Sequence, residues 1–195
     1  MKREIKKEFE IWFAGAFDGM KSIAFTLNFR QRQPGKWLPD DLTGASVYHE
    51  SERLTEQQAL ATYKRWYNGL CRKALGAKAV ARKNRAKLQH LVVKEGKVSR
   101  HDQTVKQFHL HGVIEVPKGI RADHWVEMCE AEWVSLPWAD PMNHDFTKYR
   151  DAGCIEYILK DRTKEDVEDS ILLEITHLND DVMRRLKSPA PSSLI

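Results

Sequence analysis

The stretch QFHLHGVIEVP, residues 107–117, constrains the fold more than any other part of the chain. Residues two apart along a strand share a face of the sheet. Phe108, Leu110, Ile114 and Val116 then make an apolar face, while Gln107, His109, His111, Val113 and Glu115 make a mostly polar one. SIAFTLNFR, residues 22–30, alternates in the same way, with Ile23, Phe25, Leu27 and Phe29 against Ser22, Ala24, Thr26, Asn28 and Arg30. Both segments read as strands with one face in a core and the other polar.

Helical periodicity accounts for much of the rest. Thr55 with Gln58 three residues on forms a capping box, and Leu60, Tyr63, Trp66, Tyr67, Leu70, Cys71 and Leu75 recur at helical spacing as far as Gly76. Trp66 and Tyr67 belong to that stripe and are read as core. Residues 1–18 predict a short amphipathic helix, Trp125, Met128, Cys129, Trp133 and Leu136 a further helix opened by Asp123, and DAGCIEYILKD a last one. KLQHLVVKEG reads as a strand joined to the histidine strand in an antiparallel hairpin across the polar loop KVSRHDQ, and PMNHDFTKYR as a final strand. QRQPGKWLPDDLTGAS, rich in Pro and Gly, reads as a loop. The mixture predicts an α+β fold, an antiparallel sheet flanked by helices, in a single domain over residues 1–187, with a disordered tail at 188–195.

No stretch approaches the roughly 20 apolar residues of a membrane helix. The opening MKREIKKEFEIWFAGAFDG carries acids and glycines where a signal peptide would not. The expectation is a cytoplasmic protein with no membrane partner. Cys71, Cys129 and Cys154 have no CxxC spacing and read as reduced core thiols. The net charge of +4 at pH 7 is modest but uneven. From Lys64 through Arg65, Arg72, Lys73, Lys78, Arg82, Lys83, Arg85 and Lys87 to Lys94 there is no acid, whereas Glu165, Asp166, Glu168 and Asp169 make the later chain acidic. A basic stretch of that length suits either a polyanion partner or a solvated helix face.

His109 and His111 lie on the polar side of their strand. At about 7 Å apart they can converge on one ion with bonds of ~2 Å; two hydrogen-bonded surface histidines also satisfy the pattern. In the helix of DAGCIEYILKD, Cys154, Ile155, Ile158 and Leu159 form one stripe, and Gly153, Tyr157, Lys160 and Lys164 lie roughly opposite. A tyrosine with a lysine three residues on suits an oxygen nucleophile whose charge, or whose phosphate target, a cation stabilises. An amphipathic surface tyrosine is the alternative.

The order FTLNF, VVKEG, HLHG and YILK, from Ser22 to Lys160, resembles the HUH endonucleases and, within them, the single-tyrosine initiators of rolling-circle replication. The resemblance implies a sheet of about five antiparallel strands with a divalent metal, Mg²⁺ or Mn²⁺, on its open face. Carboxylate and imidazole ligands also suit Zn²⁺ or Fe²⁺ by preference alone. It implies His109 and His111 as ligands and a third from the preceding strand, which Glu95 matches best. His90, on the other face of that strand, is the alternative, and Glu115 shares the histidines' face. Tyr157 would attack single-stranded DNA, at an origin with or without a hairpin, to give a 5′-phosphotyrosine and a free 3′-hydroxyl. Lys160 would meet the scissile phosphate or the departing tyrosine oxygen. Tyr149, before Gly153, falls outside the helix of Tyr157 and reads as packing or a DNA backbone contact. Thr26, Asn28 and Arg30 would line the DNA groove, and Arg82, Lys83, Arg85 and Lys87 would contact phosphates. No GxxxxGK[ST] motif occurs, so no nucleotide cofactor is expected, and helicase and polymerase would be separate proteins. A transposase or relaxase with the same chemistry, and a DNA-binding repressor with a structural metal, are the other readings.

Overall fold

A computed structural model of the chain describes residues 2–39, 46–49, 51–81, 86–98, 105–159 and 170–179. In chain order the elements are α1 (Lys2–Phe17), β1 (Ser22–Phe29), β2 (Arg32–Gln33), β3 (Lys36–Pro39), β4 (Ser46–His49), β5 (Glu52–Arg53), α2 (Glu56–Leu75), α3 (Ala77–Val80), β6 (His90–Val98), β7 (Val105–Glu115), α4 (Ala122–Val134), β8 (Ala139–Lys148) and α5 (Ala152–Ile158). Strands β6, β7, β1 and β8 form, in that order, a four-stranded antiparallel sheet. The fold is α+β, with helices on both faces of this sheet. The segment expected to be a loop instead carries two short ladders, β2 with β5 and β3 with β4.

Four strands are described where about five were expected. Beside β6, the place of an outer strand is taken by residues 170–179, which touch it through isolated bridges, His90 with His177 and Val93 with Ile171. There the His90 amide donates to the His177 carbonyl at 2.7 Å, that of His177 to His90 at 3.0 Å and that of Leu172 to Val92 at 3.0 Å.

One face of the sheet is apolar on all four strands, through Val92, Leu110, Phe25, Leu27 and Phe146 among others, and packs on α2 and α4. Trp66, Trp125 and Trp133 are completely buried there. Trp66 Nε1 donates to the Cys129 carbonyl at 3.0 Å and the Tyr67 hydroxyl to the Leu88 carbonyl at 2.7 Å, so both aromatic side chains are core, as their stripe predicted. The capping box is present: the Gln58 amide donates to Thr55 Oγ1 and the Thr55 amide to Gln58 Oε1. α4, in contrast, begins at Ala122, with Arg121 and not Asp123 at its cap position. Asp123 sits in its first turn, 2.6 Å from the Arg121 guanidinium, where a negative charge suits the helix's positive end. Gly112 has a steric reason: a Cβ there would lie 2.2 Å from both the Phe25 ring and the Leu91 carbonyl.

The opposite face is divided. Leu91, Val93 and Val113 pack under Phe13, Ala16 and Phe17 of α1 and under Ile155, Ile158 and Leu159 at α5. Tyr149 packs against this cluster, its ring 6.1 Å from that of Phe17, in keeping with a packing role. Cys71 and Cys129 are buried and Cys154 half-buried, all as free thiols. Among the described residues no helix is long and apolar enough to cross a membrane. The tail at 188–195 lies outside the described residues.

Candidate metal centre and tyrosine cleft

Strand register builds the centre. β6 pairs with β7 so that Val93 opposes His111 and Glu95 opposes His109, which puts the carboxylate on the histidines' face. Glu95, His109 and His111 each bring a ligand atom within 4.8 Å of the others. Glu95 Oε2 lies 3.3 Å from His111 Nε2 and 3.6 Å from His109 Nε2. The imidazole rings are edge to face, 4.7 Å apart, so both Nε2 atoms reach one carboxylate. All three side chains are sheltered, at 11% to 21% exposure, yet reachable from solvent.

A neighbour orients one of them. Thr26, opposite His111 across β1 and β7, places its Oγ1 3.0 Å from His111 Nδ1. With the proton on Nδ1 donated to that hydroxyl, Nε2 keeps its lone pair toward Glu95, the arrangement an outer partner gives a metal-bound imidazole. Two imidazole nitrogens and one carboxylate oxygen on an open sheet face fit a divalent cation that keeps other positions for substrate.

Glu95, and not His90, completes the triad. His90 opposes Ile114 on the α2 side of the sheet and is 1% exposed. Its Nδ1 lies 3.2 Å from the Leu88 carbonyl and its Nε2 2.5 Å from that of Ile175. Burial, outweighing those carbonyls, pushes its pKa down to about 4. Glu115 opposes Ser22, about 13 Å along the strand from His111, and burial raises its pKa. It takes no part in the triad.

α5 carries the tyrosine to this face. Asp151 caps the helix by accepting from the Gly153 amide at 2.9 Å. Ile155, Ile158 and Leu159 are buried, whereas Tyr157 is 58% exposed, as the helical periodicity predicted. Its ring stands edge-on to that of His111, centroids 6.3 Å apart. Between α5 and the β1–β8 pair lies a cleft of about 260 Å³ lined by Thr26, His111, Asp145, Thr147, Arg150 and Tyr157.

Asp145, Thr147 and Arg150 do not stand out in the sequence. Asp145 opposes Thr26 and Thr147 opposes Ala24 across β1 and β8, which gives both the histidines' face. Alternation along β8 would have marked them only once β8 was known to border β1.

Of the expected DNA-contacting residues, Thr26 and Asn28 oppose His111 and His109. Arg30 lies beyond the end of β1, past a register break after Leu27, with its amide donating to the Trp138 carbonyl. Lys160, Arg82, Lys83 and Arg85 lie outside the described residues. Lys87 is exposed, but it precedes β6 at the His90 end. Glu95 is about 17 Å further along the strand, so this lysine is not brought to the triad.

Fold and site together define an antiparallel α+β protein with a candidate bis-imidazole–carboxylate centre beside an exposed tyrosine. The chain matches no family model, no curated protein and no solved structure.

Proposed function

We propose that the chain is a metal-dependent single-stranded DNA endonuclease of the HUH type that nicks and rejoins DNA through Tyr157, initiating rolling-circle replication of a plasmid, phage or integrated element. One observation carries this reading: an exposed tyrosine stands edge-on to His111, within a cluster of two histidines and a glutamate on an open sheet face. Glu95, His109 and His111 would hold Mg²⁺ or Mn²⁺, which when bound supplies Lewis-acid polarisation of the scissile phosphate. Tyr157 Oη attacks phosphorus and its proton passes to solvent. The bond to the 3′-oxygen breaks, a 5′-phosphotyrosine forms, and the 3′-oxygen takes up a proton. Thr26 holds the His111 ring in place, and Arg150 offers a guanidinium in the same cleft, suited to a phosphate. Lys160 takes the adjoining role that the resemblance gives it. The covalent bond conserves the energy for rejoining, so no nucleotide cofactor is required, and unwinding and synthesis fall to a separate helicase and polymerase.

A denaturing gel of the protein with Mn²⁺ and labelled single strands tiled across candidate origin DNA tests this. The expected result is a protein-linked label that disappears with chelator and in Tyr157→Phe. Binding without any adduct would favour a DNA-binding module with a structural metal. Adduct formation on hairpin transposon ends and not on an origin would place the same chemistry in a transposase or relaxase.

A further inference from the structure

A second cleft adjoins that of Tyr157. It measures about 610 Å³ and lies between residues 14–20, at the end of α1, and Tyr149, Arg150 and Asp151. Arg150 and Asp151 line both clefts, so the two are neighbours with these residues between them. The size falls within the roughly 300–1,000 Å³ of small-ligand sites.

Its lining suits a flat ring. Ala14, Phe17, Met20 and the half-buried Tyr149 are apolar or aromatic. Gly15 and Gly19 leave room, since a Cβ on either would meet nothing within 4 Å. The charges are two acids, Asp18 and Asp151, and one cation, Arg150. The carbonyl end of α1 adds partial negative charge. Two carboxylates beside an apolar and aromatic wall suit a neutral ring with N–H donors. The cation sits where the two clefts meet.

We propose that this cleft is a base pocket for one unpaired nucleobase of the single strand bound at Tyr157. The phosphate linking that nucleotide to its neighbour lies at Arg150. The inference rests on the single-stranded DNA reading above. Tyr149 offers an aromatic surface for stacking. Asp18, and Asp151 held by the Gly153 amide, accept from the base edge. Guanine, with an N1–H beside its amino group, suits a carboxylate best, and thymine, with one N3–H, least.

The test is fluorescence anisotropy in EDTA with Tyr157→Phe protein, so that neither metal nor cleavage enters. The probe is the strand that gives the adduct or, if none does, the tightest binder of the tiled set, scanned with single abasic sites. One abasic position is expected to weaken binding about tenfold. Adding Gly15→Leu, which fills the cleft while replacing a helical glycine by a better helix former, should cause a similar loss on the intact strand. The abasic site should then cost nothing more, and Asp18→Asn should erase a guanine-over-thymine preference at that position. A thermal melt confirms that both variants fold. Insensitivity at every position, or abasic and Gly15→Leu losses that multiply independently, would overturn the pocket. If adduct forms without abasic sensitivity, the pocket alone fails. If abasic sensitivity appears without adduct, the endonuclease reading alone fails, and absence of single-strand binding overturns both.

Discussion

The two faces of the central sheet are built from the same four strands but are finished differently. Under α2 and α4 every strand contributes apolar side chains, and Trp66, Trp125 and Trp133 are completely buried among them. Under α1 and α5 the apolar cluster involves Leu91, Val93 and Val113, and the face then gives way to Glu95, His109, His111, Thr26 and Asn28. Burying apolar area stabilises a fold, whereas sheltering a cluster of polar ligand groups costs desolvation. The difference separates the packed part of the sheet from its candidate site, and it separates variants by what they should disturb.

The sharpest test of that division is Tyr157→Phe. Adduct formation should fall at least 10³-fold, about 4 kcal/mol, while the urea midpoint barely moves, because exposed positions usually change stability within about 0.5 kcal/mol. A large stability loss would mean that Tyr157 belongs to the packed part of its face. On the other side, Trp66→Ala should cost about 3–5 kcal/mol in urea unfolding through the cavity it leaves. Next comes acid. An unfolded histidine protonates near pH 6.5, but folded His90 does so only near pH 4. Between those values the unfolded state binds more protons, so stability should fall as pH drops from about 6.5 to 4, by up to about 3 kcal/mol. His90→Asn should remove that part of the pH dependence. Smaller still, Mn²⁺ at a hundred times its dissociation constant should stabilise the protein by about 2.7 kcal/mol, read as a rise in melting temperature that His109→Ala abolishes. An unchanged rise in His109→Ala would put the ion elsewhere. Thr26→Val should be the mildest, about 1 kcal/mol of metal-dependent stabilisation through loss of the bond to His111.

Much of this division was legible in the sequence, because alternation along β1 and β7 assigns each residue to a face before any partner is known. Helical periodicity placed Tyr157 off the apolar stripe of its helix. Strand order was not legible: β1 is central because β7 and β8, distant in sequence, flank it, and only that arrangement puts Thr26 against His111 and Asp145 beside Thr26. The choice between Glu95 and His90 likewise depended on the β6–β7 register, which the intervening polar loop does not specify. Nor did periodicity reveal the start of α4, where an ion pair between Arg121 and Asp123 replaces a side-chain cap.

The segment 170–179 has a consequence for self-association. Leu91, Val92 and Val93 lie in an outer strand, and such a strand with open hydrogen-bonding groups is a template for pairing with another copy. Here the outward groups of His90 and Val92 are taken: His177 bonds both polar groups of His90, the Leu172 amide meets the Val92 carbonyl, and Thr176 Oγ1 accepts from the Val92 amide at 3.2 Å. A chain cut before Ser170 would keep its triad residues yet lose Ile171, Leu172, Ile175 and Leu178 from the two cores and uncover a sticky edge, so it should aggregate in a concentration-dependent way.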